Sequence, residues 1–446
     1  MLPTATDEQL QRAIGPLALA LAVVNSVVGS GIFVLPALVA AELGAASILA
    51  YVVCGALVFM IGLCFAELGS GTTVSGGLYT YIERAFGPYA GFLATNVYWL
   101  GCAVTADAAI ANALSDALAG FFPVLSTGLY RAVFIVLVFA ALALINIRSV
   151  RSGVRFIELT SLGKLIPLVI LVVVAAGFVD PANLHWAVEP DAHNVGAASL
   201  LLFFAFQGLE TPLMNGGEIK DPRRTVPRGL LLGLGLVLLL YMAIHVVVVG
   251  VLGTGLQAHQ SAPVVAVAGV VFGVLGAFVI GVVSMVSITG SLAGNVLSVP
   301  RILYASSRNG WMPKPLARVH PEFLTPHIAI AVYTLFGCVL ALSGEFRQLA
   351  ILSSAAGLLI YLGCALAAMK LRRSKTSGHQ ESFRAPGGIL VPVLAICGIV
   401  WLLSNLEPKE LTAVGLLLLI LSAIYGMIVL AKRRNTSKVH SKNIRS

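Results

Sequence analysis

The chain has 446 residues, of which 58% are hydrophobic and 11% charged, with a formal net charge of +9. That composition is far from soluble averages and excludes a soluble core carrying a single anchor. The basic surplus needs no nucleic acid, because membrane proteins gather Lys and Arg on their cytoplasmic side. The polar, mixed-charge stretch from Met1 to Arg12 precedes an apolar segment too long for an h-region, so no cleavable signal peptide is expected. Cys54, Cys64, Cys102, Cys338, Cys364 and Cys397 all lie in apolar runs, without ligand spacing or a disulfide framework, and read as packing residues.

In chain order, apolar periodicity and length predict an all-α integral membrane protein of about twelve spanning helices. They fall near 16–42, 46–68, 89–118, 130–147, 156–179, 197–217, 229–252, 276–306, 327–343, 347–371, 388–404 and 411–431. The apolar run 264–275 is short and follows Pro263, so it reads as a short external helix. The whole chain, 1–446, reads as one integral membrane domain with a basic tail at 432–446.

The first span contains Val24-Asn25-Ser26-Val27-Val28-Gly29-Ser30-Gly31-Ile32-Phe33-Val34-Leu35-Pro36. Gly-Ser-Gly at mid-span costs helix propensity and offers competing backbone hydrogen bonds. One reading is a helix packed closely through small residues. The other is a break, tolerated at membrane depth only where backbone is buried or lines a cavity. A break would aim the N–H groups and positive dipole end of a second half-helix into the membrane interior, which suits a substrate carboxylate.

Lys and Arg placement sets the orientation. With the N-terminus inside, twenty-four of the twenty-eight basic residues fall on the cytoplasmic side, including Arg12, Arg151, Arg155, Arg223, Arg308, Arg372, Lys375 and the tail. Arg131, Arg347 and Lys409 fall outside, and Lys164 lies within a span. Both termini are therefore expected in the cytoplasm, with the basic tail against lipid.

The sixth span carries Phe203-Phe204-Ala205-Phe206-Gln207-Gly208-Leu209-Glu210-Thr211-Pro212, followed by Asn215-Gly216-Gly217-Glu218. Like the first, it is interrupted by helix-breaking residues. Five spans separate the two starts, and an odd number of crossings reverses membrane polarity. Two broken helices at matching positions of inverted halves, about 16–179 and 197–371, place a substrate site at the midplane between them. That favours the break over close packing in the first span.

These features resemble the amino acid–polyamine–organocation permeases, which are built on a LeuT-type 5+5 inverted repeat with helices 1 and 6 broken. Gly29-Ser30-Gly31-Ile32-Phe33 is similar to the first-helix signature. Ser75-Gly76-Gly77-Leu78-Tyr79-Thr80-Tyr81 with Ala85-Phe86-Gly87-Pro88 resembles the loop between helices two and three. Phe206 to Glu210 with Glu218-Ile219-Lys220-Asp221-Pro222-Arg223-Arg224 resembles the sixth helix and its exit. Arg301 to Pro313 resembles the segment after helix eight, and Phe383-Arg384-Ala385-Pro386-Gly387-Gly388 the approach to helix eleven.

The resemblance implies roles for particular residues. The substrate carboxylate is expected at the N–H groups of Ser30 and Gly31, beside Gly29, with the Ser30 hydroxyl as a further donor. The ammonium is expected at carbonyls of Val27, Phe204 and Gln207, beside Gly208. The Phe204 ring is expected to close over the substrate from outside. Asn295 occupies a helix-eight position where relatives can hold Trp. Lys164 resembles the lysine that proton-coupled and exchanging relatives carry where sodium-coupled ones bind sodium.

Lys164 lies about 12 Å into its span, where a Lys costs on the order of 2.5–3.5 kcal/mol and needs a reason. It is either a proton-coupling group or a structural cation pinning helix five to helix one. Glu210 is either a proton site or a cap on the half-helix. Asp107 either faces the pocket, favouring a cationic substrate, or makes a polar pairing away from it. His245 reads as a packing histidine, and Glu67 and Glu83 as interfacial. No His-Glu-x-x-His, Gly-x-Ser-x-Gly, P-loop or Cys/His cluster points to an enzyme, a catalytic residue, a cofactor or a metal. No repeated pore loop points to a channel.

The expected function is alternating-access transport of amino acids across the inner or plasma membrane. The partners are the amino acid, a proton and membrane lipids. Proton symport of neutral amino acids stands first, and exchange or export, including cationic amino acids or polyamines, second. A sensor that binds without transporting would carry the same sequence.

Overall fold

The architecture follows from where the helices stop. The computed structural model describes residues 12–71, 77–148, 163–186, 189–373 and 383–443. The start of the fifth predicted span (156–162), the loop residues Ser75 and Gly76, and Arg151, Arg155, Lys375 and Arg445 lie outside the described residues. Those described are helical or irregular, with one isolated bridge between Ile14 and Ile219 and no strand.

The first predicted span is two helices, α1 (Pro16–Val27) and α2 (Gly31–Leu43). Val28 leaves the helical region at φ −72°, ψ 91°, after its N–H has closed on Val24 O. Then come α3 (Ile48–Ser70), α4 (Leu78–Phe86), α5 (Pro88–Asn96) and α6 (Val104–Ala119). A π-helical stretch, Val97–Ala103, joins α5 to α6. Next are α7 (Gly128–Arg148) and α8 (Leu165–Ala175).

The second interruption follows α9 (Ala192–Phe203). A 3₁₀ turn, Phe204–Phe206, leads to extended Gln207 (φ −67°, ψ 151°) and to Gly208 at φ +98°. A second 3₁₀ stretch, Thr211–Glu218, completes the segment. The chain then runs through α10 (Pro222–Leu252), α11 (Pro263–Arg308), α12 (His327–Ser343), α13 (Phe346–Arg373), α14 (Leu390–Leu403) and α15 (Pro408–Asn443). The 46-residue α11 is too long for one crossing and is broken at Gly273 (φ 68°, ψ −161°), close to the predicted division at 275–276.

Among the described residues, seven helical stretches are long and apolar enough to cross a membrane. Five shorter apolar helices accompany them, and these include α1 and α9, the helices that end at the interruptions. Outward faces are apolar: Leu129, Leu239, Val274 and Leu419 are all largely exposed, the surface that lipid covers. Inside, small residues let helices approach closely. A Cβ on Gly229 or Gly233 of α10 would lie 2.8 Å from a carbonyl oxygen of α1, at Pro16 or Ala20, so this contact requires glycine.

Candidate functional site

Both interruptions open on one cavity of about 330 Å³. Its wall holds Val27, Gly29, Ser30 and Gly31 from the first break and Phe204, Gln207, Gly208 and Glu210 from the second. Lys164, immediately before α8, and Asn295 on α11 also line it.

A helix end leaves four backbone groups without an internal partner, so each break must find partners elsewhere. The Lys164 ammonium donates to the carbonyls of Asn25 at 2.8 Å and Val28 at 2.6 Å. The Tyr241 hydroxyl sits 3.0 Å from both Val27 O and Ala205 O, so one proton serves a carbonyl from either break. The Ser26 hydroxyl donates to Gly208 O at 2.9 Å. Glu210 accepts from the Gly208 N–H at 3.2 Å and from the Tyr361 hydroxyl at 2.5 Å, so its carboxyl caps the second break. At the start of α2, the Phe33 N–H closes back on Ser30 O at 3.1 Å. The N–H groups of Ser30 and Gly31 precede the internal ladder of α2, at its positive dipole end.

The glycines here serve the contact between breaks. A Cβ on Gly208 would lie 2.8 Å from Ser26 O, in a backbone conformation that already favours glycine. A Cβ on Gly31 would lie 2.8 Å from Ala205 Cβ and 2.9 Å from its Cα. Gly31 is therefore needed for the packing of α2 on the second break.

Phe204, 6% exposed, lines the cavity and meets Phe346 edge-on with centroids 5.6 Å apart. Met214, Val299 and Ile302 also line the wall. The π-helical stretch contributes Tyr98 and Cys102 to the wall, and its irregular ladder leaves Cys102 O to accept from the Ser353 hydroxyl at 2.9 Å. Ser353 also lies 2.8 Å from Gln207 Oε1, which leaves Gln207 Nε2 buried without a partner among the described residues.

Asp107 is not on the cavity wall. It is fully buried one layer back, held by Asn295 Nδ2 at 2.6 Å and the Tyr333 hydroxyl at 2.8 Å. His245 packs away from the cavity, 2.7 Å from the Ser47 hydroxyl and over the Tyr51 ring. Glu67 is buried among protein atoms, where Arg372 grips both its oxygens and the Ala385 N–H adds a third donor. Glu83 is exposed beside a second, smaller cavity of about 110 Å³. No group of three or more metal-ligating side chains occurs among the described residues.

Sequence reasoning missed Tyr241, Ser353 and Tyr361, since a lone hydroxyl in an apolar helix carries no local signal. Asn25 and Ser26 were findable, as a polar pair just before Gly29 in an otherwise apolar run.

A profile of amino acid permeases matches residues 14–430, nearly the whole chain and both interruptions. The chain belongs to the amino acid permease family. The permease is similar to the serine/threonine exchanger SteT of Bacillus subtilis (strain 168), with 31% identity over 97% of this chain and 99% of the relative. It is also similar to the branched-chain amino acid permease BcaP of the same organism, 24% identical over 90% of each chain. The b(0,+)-type amino acid transporter 1 of Mus musculus is 25% identical over 87% of this chain and 81% of the relative. A transporter family and these long apolar helices make the permease a multi-pass membrane protein and not an enzyme.

Proposed function

We propose that the permease carries α-amino acids by alternating access through a LeuT-type 5+5 inverted repeat of twelve spans, with both termini cytoplasmic. The observation that carries this is the convergence of two interrupted helices on one cavity. A zwitterion needs donors for its carboxylate and acceptors for its ammonium. The start of α2, at Ser30 and Gly31, supplies N–H groups and the positive dipole end, each helix end being worth roughly half a charge. The unwound carbonyls of Val27, Phe204 and Gln207 supply acceptors; a carbonyl that already takes one donor, as Val27 O does from Tyr241, keeps a second lone pair.

The shape supports an inward-facing state in this orientation. In this orientation Phe204, with Phe346 edge-on behind it, would close the outer end, and Met214 and Ile302 would line the cytoplasmic side of the cavity. Proton symport of neutral amino acids is the first mode. Lys164 bonds directly to the first break, so loading or releasing its proton would alter the hold on Asn25 and Val28. Exchange is the second mode, favoured by the similarity to a protein named as a serine/threonine exchanger. The same two hydrogen bonds also suit a fixed cation.

Purified protein in liposomes, given a panel of labelled amino acids with and without an imposed pH gradient, tests this. Gradient-driven accumulation supports symport. Uptake only against preloaded amino acid supports exchange. Binding without luminal accumulation would make the protein a sensor and refute carriage.

A further inference from the structure

Ala106 lines the cavity, and the next residue, Asp107, is turned about 100° round α6 into its contact with α11 and α12. There its two carboxylate oxygens take separate donors. Asn295 Nδ2 reaches Oδ1 at 2.6 Å, and the Tyr333 hydroxyl reaches Oδ2 at 2.8 Å. Tyr333 and Asp107 are fully buried, so this pair is a fixed feature of the packing. Asn295 differs: it is only partly buried, and it lines the cavity.

An asparagine amide has one donating and one accepting end, and a carboxylate oxygen is served only by the donating end. With Nδ2 committed to Asp107, the carbonyl oxygen of Asn295 must point to the other side of the amide. It accepts no hydrogen bond among the described residues. We infer that Asp107 and Tyr333 lock the Asn295 amide with its oxygen toward the cavity. That makes this wall an acceptor subsite for amino acids with a side-chain hydroxyl.

This deepens the amino acid transport reading and rests on it. When a substrate displaces water from the cavity, a hydroxyl gives the Asn295 oxygen a new donor. A methyl group of the same size leaves that oxygen desolvated and unpaired, which lowers affinity by about tenfold or more. Asp107 and Tyr333 are positioning residues, since neither reaches the cavity itself.

The test compares L-threonine with L-valine, which match in shape and differ in the hydroxyl, using full-length protein in liposomes. Wild type is expected to show a KM for threonine about tenfold below that for valine. In Asn295→Leu the two KM values converge, chiefly because threonine weakens. Tyr333→Phe loosens the amide without removing it, so the threonine preference shrinks: threonine loses its fixed acceptor, while the valine KM holds or falls because the freed amide can turn its oxygen away from the methyl group. Four results overturn the assignment: valine matching threonine in wild type, an unchanged preference in Asn295→Leu, both substrates weakening alike in Tyr333→Phe, or lysine outcompeting threonine. If the protein binds and moves no amino acid at all, the transport reading fails, and this subsite with it.

Discussion

Replacing Lys164 with alanine separates the two roles that its position allows. The side chain is 5% exposed, and its ammonium holds the carbonyls of Asn25 and Val28 at the C-terminal end of α1. Lys164→Ala leaves two buried acceptors short of a donor, at about 1–3 kcal/mol each if they stay dry. Both lie beside the cavity, so water replaces part of the loss, and about 1–3 kcal/mol in total is the better figure. That corresponds to substrate binding weakened about five- to 150-fold through a loosened first break. The fold itself survives, because removing a Lys from the membrane interior returns on the order of 2.5–3.5 kcal/mol. The assay is initial uptake against imposed pH gradient in liposomes, with membrane potential clamped. If Lys164 carries the coupled proton, wild-type uptake is expected to rise with an inward proton gradient, and Lys164→Ala to lose that dependence while keeping measurable binding or exchange. A wild type indifferent to the gradient would make Lys164 a structural cation and leave exchange as the mode. A variant that responds as wild type does would put the proton elsewhere, with Glu210 the first candidate.

Gly31→Ala drives a Cβ into Ala205, and overpacking of this kind costs about 1–3 kcal/mol. A lower melting temperature in detergent together with weaker substrate binding is expected, and wild-type values for both would remove Gly31 from the contact. Phe204→Ala removes the ring that would close the outer end, so turnover should fall more than equilibrium binding; loss of all binding would contradict a purely gating role. Arg372→Ala strands Glu67, which is only 8% exposed where Arg372 is 15%. Removing one partner of a fully buried pair costs about 3–5 kcal/mol, and the partial exposure here reduces that to about 2–3. The double variant Glu67→Gln/Arg372→Gln should recover part of the lost melting temperature, and no recovery would mean that the pair acts through something other than its charges.

Much of the site was legible because its causes are local. Gly29-Ser30-Gly31 and Gln207-Gly208 are poor helix formers set in apolar runs, and regular helix is interrupted at both places. The same local logic placed a division near residue 275, where Gly273 bends α11. Lys164 was legible as an expensive residue at depth, but not its two carbonyl partners, more than a hundred residues away. Asp107 shows the limit more sharply. A carboxylate in a span signals a partner without naming one, and only packing turned it from the cavity toward Asn295 and Tyr333.

The sequence by itself thus determined where the backbone unwinds and which chemistry is available there. Propensity, hydropathy and charge placement act over a few residues at a time. Tertiary structure decided which orphan carbonyl meets which donor, and which amide end faces the cavity. Those choices depend on hydroxyls such as Tyr241, Tyr333, Ser353 and Tyr361, each on a different turn of a distant apolar helix. Their hydrogen bonds have lengths and directions only once the helices have packed, and no pattern along the chain encodes that.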